Sequence, residues 1–180
     1  EWASGYPAAT GIGTQHGGIL VDFNAVKGGI EIIPLDNDWQ RAAHVYSDEV
    51  LISHRTDAEK GTPKFERGKS LSDHQQEMIY ISGTAAIRGE ESIVTGDVLV
   101  QTEITLENIQ HLIGLEEGRE KLPEHSGKLE LLRVYLKHEE DAKIVKEDMD
   151  KLCPDVPIVY LYADVCREEL LVEIEGIAYL

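Results

Sequence analysis

The stretch that most constrains this chain runs from Gln76 to Gly118, where a short apolar block passes through a glycine turn into a long segment with helical spacing. Met78-Ile79-Tyr80-Ile81 forms the apolar block and ends in Ser82-Gly83-Thr84-Ala85. Beyond Gly96-Asp97, the residues Val98, Gln101, Thr105, Leu106, Ile109, Leu112 and Ile113 recur at three- and four-residue steps. Asp97 suits the N-cap of that helix, and Gly114 or Gly118 its end. The pattern predicts a buried strand, a glycine turn, and an amphipathic helix that packs back on the sheet. Small residues at the end of a strand let a ligand come close to the backbone. The same spacing also fits an ordinary strand–turn–helix unit with a tight turn.

The charge balance narrows the choice of partners. Against 17 basic residues stand 34 acidic ones, for a net charge of −17. Such a surface repels phosphate backbones and anionic membranes, so neither nucleic acid nor membrane is an expected partner. A small anionic metabolite would need a local cluster of Arg or Lys. The 180 residues suffice for one domain with a proper core, or a domain and a lobe. No apolar run is long enough to span a bilayer and no signal-peptide pattern is present. Cys153 and Cys166 lack a disulfide framework and read as reduced thiols, so a cytoplasmic location is expected. Neither CxxC nor HExxH spacing occurs and the histidines are scattered, so no metal and no cofactor are expected. The chain opens Glu1-Trp2-Ala3 without a Met, which suggests a piece of something longer.

Taken in order, residues 1–17 are small and glycine-rich. Gly11-Ile12-Gly13 lacks the third glycine, the lysine and the preceding strand of a phosphate loop. Residues 18–35 read as a β-hairpin turning at Lys27-Gly28-Gly29. Residues 39–46 fit a short helix or an extended link. Residues 53–75 are polar and read as a long loop in which Phe65 and Arg67 stand out, with Arg67 either functional or solvated. Further on, Lys128–Lys137 reads as a strand with Arg133 embedded, and His138–Leu152 as a helix stopped by Pro154. Pro157 opens the strand Ile158–Tyr162, and a link over residues 163–167 leads to a last strand, Leu170–Ala178. Period two puts Glu173 and Glu175 on one face of that strand, opposite Val172, Ile174 and Ala178. The two acids mark a solvent-facing edge or line a cleft. The element order predicts an α+β fold: a mixed sheet with two helices on one face. A hairpin-and-loop extension over residues 1–75 precedes the domain at 76–180. The uncovered sheet face argues for a homo-oligomer.

These residues resemble a known superfamily. Ser82, Gly83, Gly96, Asp97, Gln101, Asn108 and Ile109, with Pro157 and the run Val172–Ala178, resemble the Rid (YjgF, endoribonuclease L-PSP-like) pattern. The resemblance implies a chorismate-mutase-like α+β domain that forms trimers with ligand clefts between subunits. Rid imine deaminases carry an Arg two residues after the strand-opening Pro, to hold a substrate carboxylate; here that residue is Val159. Their water-positioning glutamate corresponds to Glu173.

A closer similarity is to the chorismatase branch, whose members are also labelled pteridine-dependent dioxygenases. It rests on Pro7-Ala8-Ala9-Thr10-Gly11-Ile12-Gly13, Pro63-Lys64-Phe65-Glu66-Arg67, Ser82-Gly83-Thr84-Ala85 and Ala163-Asp164-Val165-Cys166-Arg167. That resemblance implies removal of pyruvate from chorismate or a similar cyclic dicarboxylate, with Glu173 as the acid/base. It implies Arg67, Arg133 and Arg167 as carboxylate partners, Cys166 and Ala85 as pocket lining, and hydroxyl contacts from Tyr80 and Tyr46. Chorismatases are about twice this length, so the expected assembly is a homotrimer or a pseudo-symmetric pairing with a missing N-terminal half. Asp38-Trp39-Gln40-Arg41 departs from the branch's usual run and leaves the substrate open. Two other functions fit the resemblance: a Rid-type enamine or imine hydrolase, and a non-catalytic module that binds a metabolite or a partner. The ribonuclease function attached to the superfamily is disfavoured by the net charge.

Overall fold

The structure, a computed structural model, describes residues 5–15, 17–51, 60–73, 75–114 and 128–180. In chain order its elements are β1 (Glu31–Leu35), β2 (Gly68–Ser72), β3 (Glu77–Thr84), β4 (Ile87–Arg88), β5 (Glu91–Ser92), α1 (Val98–Leu112), β6 (Lys128–Leu136), α2 (Ala142–Leu152), β7 (Ile158–Tyr162) and β8 (Val172–Tyr179). One sheet has the order β1-β2-β3-β8-β6-β7, and β4 and β5 form a small separate hairpin. All neighbours in the large sheet are antiparallel except β6 and β7. Parallel strands need a crossover, and α2 supplies it.

The predicted strand–turn–helix unit is β3 and α1. Asp97 caps α1, its Oδ1 accepting from the backbone N–H of Leu99 at 2.9 Å and of Val100 at 3.4 Å. Past the helix end, Gly114 takes φ +76°, a left-handed stop. Alternate residues of the central strands point at the helices. Ile79 and Ile81 of β3, Leu132, Val134 and Leu136 of β6, and Val172 and Ile174 of β8 join Leu106 and Ile109 of α1 and Val145 and Met149 of α2 in one buried cluster. The fold is therefore α+β, with a mixed sheet and both helices on one face. No described helix is long and apolar enough to cross a membrane.

The structure corrects three local expectations. The 18–35 hairpin does not form: its first arm, residues 18–26, carries no strand, and Ile19, Leu20 and Phe23 are exposed. Gly28 and Gly29 do turn, at φ +67° and +69°, but the second arm, β1, pairs with β2 instead. A two-stranded ribbon is marginal alone, whereas a strand laid on the edge of a formed sheet shares its core. The loop expected over 53–75 contains β2 at 68–72; residues 52–59 lie outside the described residues, as does Gly118. Finally, β8 lies between β3 and β6, so Glu173 and Glu175 are not on an edge strand.

Residues 37–41 are fastened to α1 and to the β4–β5 hairpin. The Asn37 side chain donates to Asn108 O at 2.9 Å, and Gly89 N and Arg41 N donate to Trp39 O and Gly89 O, each at 2.7 Å. Trp39 stacks on His111 of α1, with ring centroids 4.0 Å apart and planes 10° from parallel. On the same indole lies the Arg88 guanidinium, 4.6 Å from the centroid. His111 also pairs with Asp38, and Arg88 with Glu107 at 2.6 Å. Residues 39–46, expected as a short helix or an extended link, hold one 3-10 turn at Ala43–Val45.

Candidate active site

The N-terminal segment builds a roof over the end of β3. Ala8 bridges to Glu66 and Gly13 to Asp164, so residues 7–13 reach from the start of β2 to the link before β8. Along the way Ala9 N donates to Ser82 Oγ at 3.1 Å, and Gly83 N donates to Thr10 Oγ1 at 2.9 Å. The Ser82 hydroxyl passes its own proton to Glu66 O at 2.6 Å.

Glu173 sits beneath this roof. Period two turns it away from Val172 and Ile174, onto the sheet face opposite the helices, and the roof leaves it only 6% exposed. Gly83 makes room for its carboxyl. A Cβ at position 83 would lie 2.0 Å from Glu173 Oε1 and 2.8 Å from Thr10 Cγ2. Glycine is thus required here by close approach, although what approaches is a side chain of the protein itself. Loss of hydration, and after it the nearby Glu175, push the Glu173 carboxyl up to about 7 against the opposing Arg67. A carboxyl poised near 7 can deliver and recover a proton at neutral pH.

Arg67 is buried, not solvated, at 3% exposure. Its Nη2 donates to Arg41 O at 2.7 Å and to the Tyr46 hydroxyl. The guanidinium lies 5.5 Å from the Tyr46 ring centroid and 5.6 Å from that of Phe65. Its Nε is buried and has no hydrogen-bond partner among the described residues. An N–H left so is an uncommon and costly feature that an acceptor on a ligand would relieve. Arg167 flanks Tyr46 as well, 5.5 Å from the centroid, and its Nη1 donates to Glu90 O and Ser92 Oγ, both at 2.9 Å. Glu90 in turn holds Arg41 Nη1 at 3.0 Å and the Ser47 hydroxyl at 2.6 Å. Those Ser47 bonds, with help from Arg41, hold its carboxyl below the ordinary range. The β4–β5 hairpin thereby holds Arg167 directly, and Arg67 through Arg41, beside one tyrosine.

A second group lies on the same sheet face. Arg133 Nη1 meets Glu175 Oε1 at 2.6 Å, and the Tyr135 hydroxyl donates to that same oxygen at 2.8 Å. In the β6–β8 ladder Tyr135 stands opposite Glu173, and Arg133 opposite Glu175.

The sequence-derived residues therefore divide. Glu173, Arg67 and Cys166 share one electrostatic neighbourhood. The Cys166 thiol is raised by desolvation and by Glu173, with Arg167 opposing. Arg167 is turned toward the hairpin and lines a cavity of about 300 Å³ together with Glu49, Glu91 and Glu169. Arg133 is held by Glu175. Ala85 belongs to a small satellite core with Ala86, Ile87, Val165 and Leu170, and its carbonyl accepts from Asn108 Nδ2 at 3.0 Å. Tyr80 pairs with Ile177, further along β8 than Glu173, so it is not brought to the carboxyl. Val159 is half exposed on the edge strand β7, where the resemblance would need an arginine. Thr10 and Tyr135 escaped the sequence reading. Tyr135 was within reach of it, because it alternates with Arg133 on β6 and faces the same way. Thr10 lies in the Pro7–Gly13 run of the resemblance, but its contact with Gly83 is made only through the roof.

Known proteins share this fold. The fold is that of the Rid family: a Rid-family protein from Yersinia pestis superposes with a TM-score of 0.50 at 17% identity, over 71% of this chain and 96% of its own. No protein-family model matches the chain. A chorismatase from Streptomyces rapamycinicus is 35% identical over 179 residues, which is 95% of this chain and 50% of that protein. A 3-hydroxybenzoate synthase from Streptomyces hygroscopicus is 33% identical over 185 residues, 96% of this chain and 50% of that protein. A chorismatase crystal structure matches with a TM-score of 0.71 at 28% identity, covering 96% of this chain and 50% of its own. The chain is thus similar in sequence to chorismatases and shares its fold with Rid-family structures. It spans about half the length of the curated relatives it matches.

Proposed function

We propose that this chain carries the proton-transfer site of a chorismatase-like enzyme, which releases pyruvate from chorismate or a similar cyclic dicarboxylate. The observation that supports this reading is the desolvated Glu173 carboxyl, poised at about 7, beside a buried arginine. Chorismate is an enol ether, and such a bond breaks once its terminal carbon takes a proton. Protonated Glu173 gives that proton, and the electrons of the C=C bond form the new C–H bond. Positive charge is left on the carbon that bears the ether oxygen. Water adds to that carbon and returns a proton to the Glu173 carboxylate. The resulting hemiketal expels the ring oxygen as an alcohol and frees pyruvate. Arg67 Nε, the buried N–H without an acceptor among the described residues, takes one substrate carboxylate. The nearby thiol of Cys166 lines the pocket, where desolvation and Glu173 disfavour its thiolate.

The test is pyruvate release from chorismate by the full-length protein. Glu173→Gln should lower kcat by about 10² to 10⁴-fold, the usual span for a lost general acid. Activity should fall as pH rises through about 7, because the acid must start out protonated. Wild-type protein that is folded yet releases no pyruvate would overturn the reading.

A further inference from the structure

Two carboxylates lie on one face of β8, and the protein treats them differently. Glu175 receives a guanidinium N–H at 2.6 Å and a phenol O–H at 2.8 Å on a single oxygen. Both are bonds to its charged form. Its side chain keeps 14% exposure, and that of Arg133 keeps 45%. Glu173, the next residue on that face, is buried under Thr10 and Gly83. It stands across the ladder from Tyr135, whose hydroxyl is turned diagonally onto Glu175. The phenol therefore serves the neighbour and not the residue opposite it.

We propose that Glu175, held by Arg133 and Tyr135, is a positioning residue that keeps the proton on Glu173. Two carboxylates this close on one strand face resist ionising together. Glu175 has two donors on one oxygen, and the desolvated Glu173 favours the proton. Other charged and titratable groups around Glu173 are Arg67 from the segment before β2, Cys166 from the link before β8, and Tyr135 from β6. Among these, Arg67 favours the ionised form of Glu173. Glu175 is thus the charge that offsets Arg67. It adds to the desolvation that already favours the protonated form of Glu173. The catalytic part of this inference rests on the proposed function; the pairing of the carboxylates does not.

The experiment follows the side-chain carboxyl of Glu173 by carbon NMR in full-length protein labelled at glutamate, its signal assigned by loss in Glu173→Gln. Glu175→Gln should move the Glu173 titration midpoint down by about one pH unit. Arg133→Gln, which changes a half-exposed side chain and keeps Glu175, should move it up. With chorismate, Glu175→Gln should shift the alkaline limb of kcat down by the same interval and leave KM within about threefold. An unmoved Glu173 midpoint in folded Glu175→Gln would overturn the proposal, as would equal shifts of the same sign in the two variants. Opposite shifts in a protein that never turns over chorismate would uphold the carboxylate pairing while removing the proposed reaction.

Discussion

Glu173 couples function to stability with a definite sign. A carboxyl held near 7 in the fold and near 4.5 when unfolded costs stability once both states ionise. Below pH 4.5 both states carry the proton and the cost is absent; it develops as pH rises to about 7. Glu173→Gln should therefore stabilise the fold at pH 8 by on the order of 3 kcal/mol, raising the melting temperature there and leaving it unchanged at pH 4. Melting curves at the two pH values check this, and equal stabilities at pH 8 would refute it. This residue was legible from sequence because alternation along Leu171–Glu175 places it opposite the core. Its burial was not. The roof arrives from residues 7–13, more than 150 positions earlier, and no local pattern announces that contact.

At the level of elements, the β3–α1 unit could be read directly, since helical period, N-cap and glycine stop all agree and the structure uses each. By contrast β2 was hidden, because Gly68-Lys69-Ser70-Leu71-Ser72 has a single large apolar residue. Lys69 and Ser70 are buried all the same, under the N-terminal segment and against neighbouring strands. Burial lowers the lysine's affinity for its proton, with Glu66 in opposition. A polar strand of this kind is specified by its partners rather than by its own pattern. Within β8, Gly176 is another such partner effect. A Cβ there would lie 2.6 Å from Leu131 O and 2.7 Å from Leu132 Cδ2, beside the irregular register at Leu129/Leu131. Since a backbone oxygen cannot swing aside, Gly176→Ala should destabilise the domain by about 1–3 kcal/mol in urea titration. A variant as stable as wild type would show that β6 can shift to admit it.

Over the whole molecule, a net charge of −17 on 180 residues works against the folded state through self-repulsion. Raising NaCl from about 0.02 to 0.2 M shortens the screening length to roughly 7–8 Å and should raise the melting temperature by about 2–5 °C. A fall instead would mean that ion pairs such as Arg88–Glu107 and Arg41–Glu90 outweigh the repulsion. The pile of Arg88, Trp39 and His111 has a consequence of another kind. An indole pressed between a cation and an imidazole emits weakly, and this one is held there only while residues 37–41 rest on α1. The chain has one other tryptophan, Trp2. With that residue changed to Phe, the chain would become its own fluorimeter: dim while the loop is seated, bright the moment it lifts.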